Sequence, residues 1–258
     1  MSNKLIILGC GSSMGVPRAD GFWGKCNSKE IKNFRSRCSA IIKTNNKNIL
    51  IDTSPDLRTQ LINNKVKKID EVIYTHNHAD QVHGINDLRI FSLLNKKKIS
   101  VYADQVTRKY LIKNFLYCFK DSKGYKAILK LKSLKKKIIF NNNNNNKILI
   151  NTISVKHGNI KSQAIIINKS CAYLSDANKI FNKDLKYFKK LKYLIIDCLR
   201  FKKHPSHFNL DDVIELVKIL NPKKTILTNL HSDLDYNYLI KILPKNIIPA
   251  YDGMRLNL

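Results

Sequence analysis

Short apolar stretches, each closed off by turn-forming residues, recur along the whole 258-residue chain and leave few folds open to it. Runs of this length read as buried strands. They fall at 4–8, 39–44, 48–51, 71–75, 99–103, 138–140, 148–155, 163–167, 171–175, 193–197, 225–229 and 247–250. Between the later ones the apolar spacing becomes helical, at 106–119, 179–191, 210–220 and 236–243, and Asn209 before Leu210-Asp211-Asp212 reads as an N-cap with an acidic first turn. A strand-rich first half followed by alternating strands and helices predicts two β-sheets between helices, a four-layer αβ/βα sandwich, over a doubly wound parallel sheet. Residues 1–258 read as one domain, with an exposed loop at 121–147, where Lys-rich text runs into six consecutive Asn.

Composition adds less than it promises. The 47 basic and 19 acidic side chains leave a formal net charge of +28, a field that favours anionic ligands such as phosphates. The Lys are spread over the chain among abundant Asn and Ile, so biased composition accounts for the charge, and nucleic acid is a partner the charge allows but does not favour. Cysteines 10, 26, 38, 118, 171 and 198 form no C-x-x-C pair and read as free thiols. The apolar run at 5–8 is too short for a signal peptide, and no stretch approaches the ~18 apolar residues of a membrane span, so a soluble, cytoplasmic protein is expected.

The strongest local signal is Tyr74-Thr75-His76-Asn77-His78-Ala79-Asp80-Gln81-Val82-His83-Gly84, which follows a predicted strand and holds three of the seven His. Imidazoles and a carboxylate on one tight loop are able to converge on a divalent cation, with donors suited to Zn, Mn or Fe. His157, Asp176 and His231 each follow a later predicted strand. Each alone reads as a capping or solvent-facing residue; in this order they form a set. The glycines at 9, 11 and 15 lack the spacing and the βαβ context of a dinucleotide fingerprint.

These residues resemble the metallo-β-lactamase superfamily, whose signature is H-x-H-x-D-H, a lone His, a lone Asp after a strand and a final His. Within it the chain looks most like the phosphodiesterase branch typified by PhnP, with RNase Z more distant. Residues 8–17, Arg37-Cys38-Ser39, Ile51-Asp52-Thr53, the His76 motif and Tyr251-Asp252-Gly253-Met254 carry the likeness. The resemblance implies two divalent ions, Zn or Mn, with His76, His78 and His157 on one, Asp176 bridging, and Asp80 with His231 on the other. It implies hydrolysis of a small cyclic or nucleotide-like phosphodiester by a metal-bridging hydroxide, with Asp80 and His207 catalytic. Gln81 stands where the signature has His, so the second ion is expected to bind weakly, with Gln81 as a weak ligand and His83 in a supporting or surface role. Only Cys26 remains where related phosphodiesterases cluster Cys, so no structural zinc is expected. Ser12, Ser13, Arg58, His204 and His207 are carried as substrate contacts. Arg58, with Arg89, reads equally as a structural ion-pair partner. The rival readings are an RNase Z-like endoribonuclease acting on tRNA 3′ ends, and a non-catalytic phosphate- or nucleic-acid-binding protein with an impaired metal site. A homodimer is left open.

Overall fold

Alternation decides where each strand residue goes. In the first strand, Leu5 and Ile7 point into one core while Ile6 and Leu8 point into another, as a two-residue repeat requires of a strand buried on both faces. The computed structural model describes residues 3–141 and 147–258. The first sheet contains β1 (Lys4–Gly9), β2 (Ser39–Lys43), β3 (Asn48–Ile51), β4 (Glu71–Ile73), β5 (Ile99–Ala103), β6 (Leu129–Ser133) and β14 (Arg255–Asn257), in the order β14-β1-β2-β3-β4-β5-β6. The second contains β7 (Lys137–Asn141), β8 (Lys147–His157), β9 (Ile160–Ile167), β10 (Cys171–Leu174), β11 (Tyr193–Asp197), β12 (Lys224–Thr228) and β13 (Ile247–Pro249), in the order β13-β12-β11-β10-β9-β8-β7.

The sheets face each other across a core that joins Leu5, Ile49 and Ile73 to Ile165, Tyr173 and Ile226. The outer face of the first sheet is covered by the helices α1 (Leu57–Asn63), α3 (Arg89–Leu94) and α4 (Gln105–Phe119), with α2 (Ala79–Val82) a single turn between α1 and α3. The outer face of the second sheet is covered by α5 (Leu210–Leu220) and α6 (Tyr236–Ile242). The molecule is therefore the predicted four-layer sandwich. Asn209 caps α5 through a reciprocal pair of bonds with Asp212. β3 to β6 run parallel, as do β10 to β13. All six cysteines are buried and free. Among the described residues no helix is long and apolar enough to cross a membrane.

Two expectations are corrected. The segment 121–147 is not one loop: β6 and β7 lie inside it as edge strands of opposite sheets, joined through residues 134–136, while 142–146 lie outside the described residues. Its lysines mislead because charged Lys on an edge strand blocks pairing with other chains without preventing pairing on the inner side. The segment 179–191 holds only a 3-10 helix, Asn182–Tyr187. It is pinned at both ends, by the Lys179 carbonyl accepting from Lys156 and by Lys190, which turns left-handed and donates to Leu220.

Candidate metal centre

Parallel strands end together, and their carboxyl ends gather the polar residues that follow them. β4 leads into Tyr74, Thr75 and the His76 loop, β8 ends on His157, and Asp176, Asp197 and Asn229 stand at or just beyond the ends of β10, β11 and β12. The His76 loop is stitched to the loop after β3: Thr53 N–H donates to the Gln81 carbonyl (2.7 Å) and Gly84 N–H to the Thr53 carbonyl (2.9 Å). This close approach requires glycine at 84, since a Cβ there would lie 2.0 Å from the Ser54 carbonyl oxygen.

His76, His78 and His157 bring one ring nitrogen each into a single cluster. His78 Nδ1 lies 3.0 Å from His76 Nε2 and 3.2 Å from His157 Nε2. Three imidazoles around one tetrahedral ion hold their nitrogens about 3.3 Å apart, so the spacing fits. The tautomers fit as well. His157 Nδ1–H donates to the Ser206 carbonyl at 2.8 Å, which leaves its Nε2 unprotonated. Thr75 Oγ1 bridges Asp52 Oδ2 (2.8 Å) and His76 Nδ1 (3.0 Å); with the hydroxyl donating to Asp52, His76 Nδ1–H donates to the hydroxyl oxygen and its Nε2 is free as a ligand. Burial pulls His76 down to about 3, outweighing Asp176, and burial also lowers His157, so both rings stay neutral near pH 7 and offer lone pairs.

His157, Asp176 and His207 form a second, overlapping group. Burial tends to raise Asp176, but the rings of His76, His207 and His157 outweigh it and hold the carboxyl low. Asp80 is raised to about 6, first by burial and then by the charge of Asp176. Burial opposes protonation of His207, yet Asp197, whose Oδ2 accepts from His207 Nδ1 at 2.7 Å, overcomes it and raises the ring to about 9. The His207 and His157 rings meet edge to face, 4.7 Å apart. Gly158 lets the two loops meet, because a Cβ there would lie 2.9 Å from Ser206 Cβ and its φ is +58°.

The remaining assigned residues divide. Gln81 is buried beside the carboxylates, its Nε2 3.2 Å from Asp80 and 3.3 Å from Asp176. His231 is not brought to this cluster. The chain turns left-handed at Asn229 (φ 60°), and the His231 ring faces Asp233, 3.5 Å away, while Asn229 takes the place beside Asp176. Arg58 and Arg89 line a groove of about 500 Å³ along α1 and α3 that includes no residue of the cluster. His83 packs on Phe115 and bonds Tyr110, toward α4. Among the described residues Ser12 Oγ is buried without a partner, and Ser13 is exposed on the turn after β1. His204 stands 5.1 Å from the His207 ring. Sequence reasoning missed Asp197 and Asn229 as site residues and gave Asp52 no role there. The rule that selected Asp176, a polar residue closing a strand, also selects Asp197 and Asn229.

Residues 47–229 match the family described as the Beta-lactamase superfamily domain. The fold superposes on a crystal structure of a diphosphatase from the PhnP family with a TM-score of 0.89 at 30% identity, covering 99% of this chain and 97% of that one. It also superposes on the short form of human tRNase Z, with a TM-score of 0.69 at 15% identity over 98% of each chain, a likeness of fold alone. An octanoyltransferase from Porphyromonas gingivalis is 30% identical over 256 residues, which are 97% of this chain. The chain spans about half the length of that curated relative, 51%.

Proposed function

We propose that this chain, which belongs to the metallo-β-lactamase superfamily and to its PhnP-like branch, is a metal-dependent hydrolase of small phosphodiesters, cyclic or nucleotide-like. The observation that carries this reading is the convergence of the His76, His78 and His157 imidazoles beside Asp176, with the Asp197-braced His207 against His157. A bound divalent cation, Zn or Mn, supplies Lewis acidity toward water and toward a phosphoryl oxygen.

The chain's own residues supply the rest. His76, His78, His157 and Asp176 hold the cation. Asp80 sits beside Gln81 as the carboxylate that orients water. Asp197 accepts a hydrogen bond from His207 Nδ1–H, so the ring presents Nε2–H outward, placed to protonate a leaving oxygen. Ser12, Ser13 and His204 are the substrate contacts on the neighbouring loops. A second reading, cleavage of a diphosphate linkage, is favoured by the full-length likeness to a diphosphatase. The metal-loaded protein should be tested on a ribose cyclic phosphate, bis(p-nitrophenyl) phosphate, a dinucleoside diphosphate and a tRNA precursor. Turnover of the first two supports the phosphodiester reading, turnover confined to the third supports the second, and turnover of none refutes both.

A further inference from the structure

The two sides of the candidate centre differ in kind. On one side three imidazole nitrogens face one another, His78 Nδ1 3.0 Å from His76 Nε2 and 3.2 Å from His157 Nε2, a spacing that fits a cation between them. Around the other carboxylate face stand Asp80, Gln81 and Asn229. Asn229 Nδ2 lies 3.4 Å from Asp176 Oδ1, 3.2 Å from Asp197 Oδ1 and 3.1 Å from His207 Nδ1. Turning that amide over would set its oxygen against two carboxylate oxygens and gain only the His207 Nδ1–H, which already donates to Asp197, so the observed placement, with N–H groups facing the carboxylates as a cation's positive charge would, is the favoured one. Gln81 does the same with Nε2 against Asp80 and Asp176, leaving its Oε1 buried without a partner among the described residues. As placed, the side facing Asn229 offers two carboxylates, met by amide N–H groups rather than amide oxygens, and one imidazole, His207, whose Nδ1 is committed to Asp197, so it falls short of the four donors a stable zinc-type site uses.

We propose that this centre holds one divalent cation, in the His76, His78, His157 and Asp176 set, and that the N–H groups of Gln81 and Asn229 stand in for a second. The inference rests on the metal-dependent reading above and concerns only the number of ions. Its consequence is that the negative charge of Asp176 and Asp80 is balanced on one side by fixed hydrogen-bond donors, which do not dissociate when the metal is removed.

The full chain should be loaded with excess Mn²⁺, freed of unbound metal by gel filtration, and examined by elemental analysis and electron paramagnetic resonance. One Mn per chain with an isolated six-line spectrum is the expected result. Two per chain with a spin-coupled spectrum overturns the proposal while sparing the metal-dependent reading, whereas no bound metal retires both. The double variant Gln81→His/Asn229→His is expected to bind two ions. Gln81→His alone should stay at one, because the Asn229 donors remain. A folded double variant that also stays at one overturns the assignment to these amides.

Discussion

Gly84→Ala tests whether the loop after β3 sets the geometry of the metal loop. The backbone angles at Gly84, φ −83° and ψ 10°, suit alanine, so any effect is steric. The new Cβ would lie 2.0 Å from the Ser54 carbonyl oxygen, 2.9 Å from the Ser54 carbonyl carbon and 3.0 Å from Leu57 Cβ, two of them backbone atoms. Reaching the ~3 Å floor of ordinary contact parts the two loops by roughly 1 Å, enough to stretch the Thr53–Gln81 and Gly84–Thr53 bonds out of range. Overpacking costs about 1–3 kcal/mol and each lost bond about 1 kcal/mol. The expected destabilisation is therefore about 4 kcal/mol by urea unfolding. Because the same displacement moves His76 and His78, calorimetry on the folded variant should show metal affinity at least about tenfold weaker. A loss below about 1 kcal/mol with unchanged affinity would refute the reasoning.

Asp252 is buried and accepts from the backbone N–H groups of Cys10 and Ser36, and burial raises it from 3.8 to about 6. The folded state then holds this proton more tightly, so stability present below about pH 4 is lost as the pH climbs through 6, by about 3 kcal/mol; Asp252→Asn should remove that slope in unfolding titrations at pH 4 and pH 7. Thr75→Val cuts the link from Asp52 to His76 and should weaken metal binding about 10–100-fold by calorimetry. Asp176→Ala should abolish metal binding and hydrolysis together, and normal metal content in that variant would remove the residue from the centre. His207→Ala should keep its metal while kcat falls about 10²–10⁴-fold, with a smaller fall for p-nitrophenyl esters, whose leaving group needs no proton.

Periodicity located most of the framework because β1 to β5 and β10 to β12 are buried on both faces and read as apolar runs. The omissions have physical causes. β6 alternates Leu with Lys at an edge, and α1 and α3 are too short for a helical period to emerge. In the site, His76, His78, His157 and Asp176 were legible as ligand-type residues closing strands. His231 was misplaced because its residue type was weighed above its position: β12 ends at Thr228, and the left-handed turn at Asn229 breaks the two-residue repeat that would have kept 229 and 231 on one side. Asp52, also left-handed at φ 61°, was legible as part of a motif but not as the brace behind Thr75, a contact between residues 23 apart that no local pattern encodes.

The return of β14 to pair with β1 has a bearing on how the chain acquires this centre during synthesis. The first sheet is built from residues before 134, except for that last strand, and Asp252 just ahead of it fastens the backbone at Cys10 and Ser36. A nascent chain halted after β6 therefore exposes an open β1 edge and two unfastened loops, while His157 and Asp176 have yet to emerge. The ligand-bearing ends of the two halves meet only when the second sheet docks on the first. A ribosome-bound intermediate should consequently be more vulnerable to proteases around 10–37 than around β3 to β5, and it should take up no metal until His157 and Asp176 have emerged.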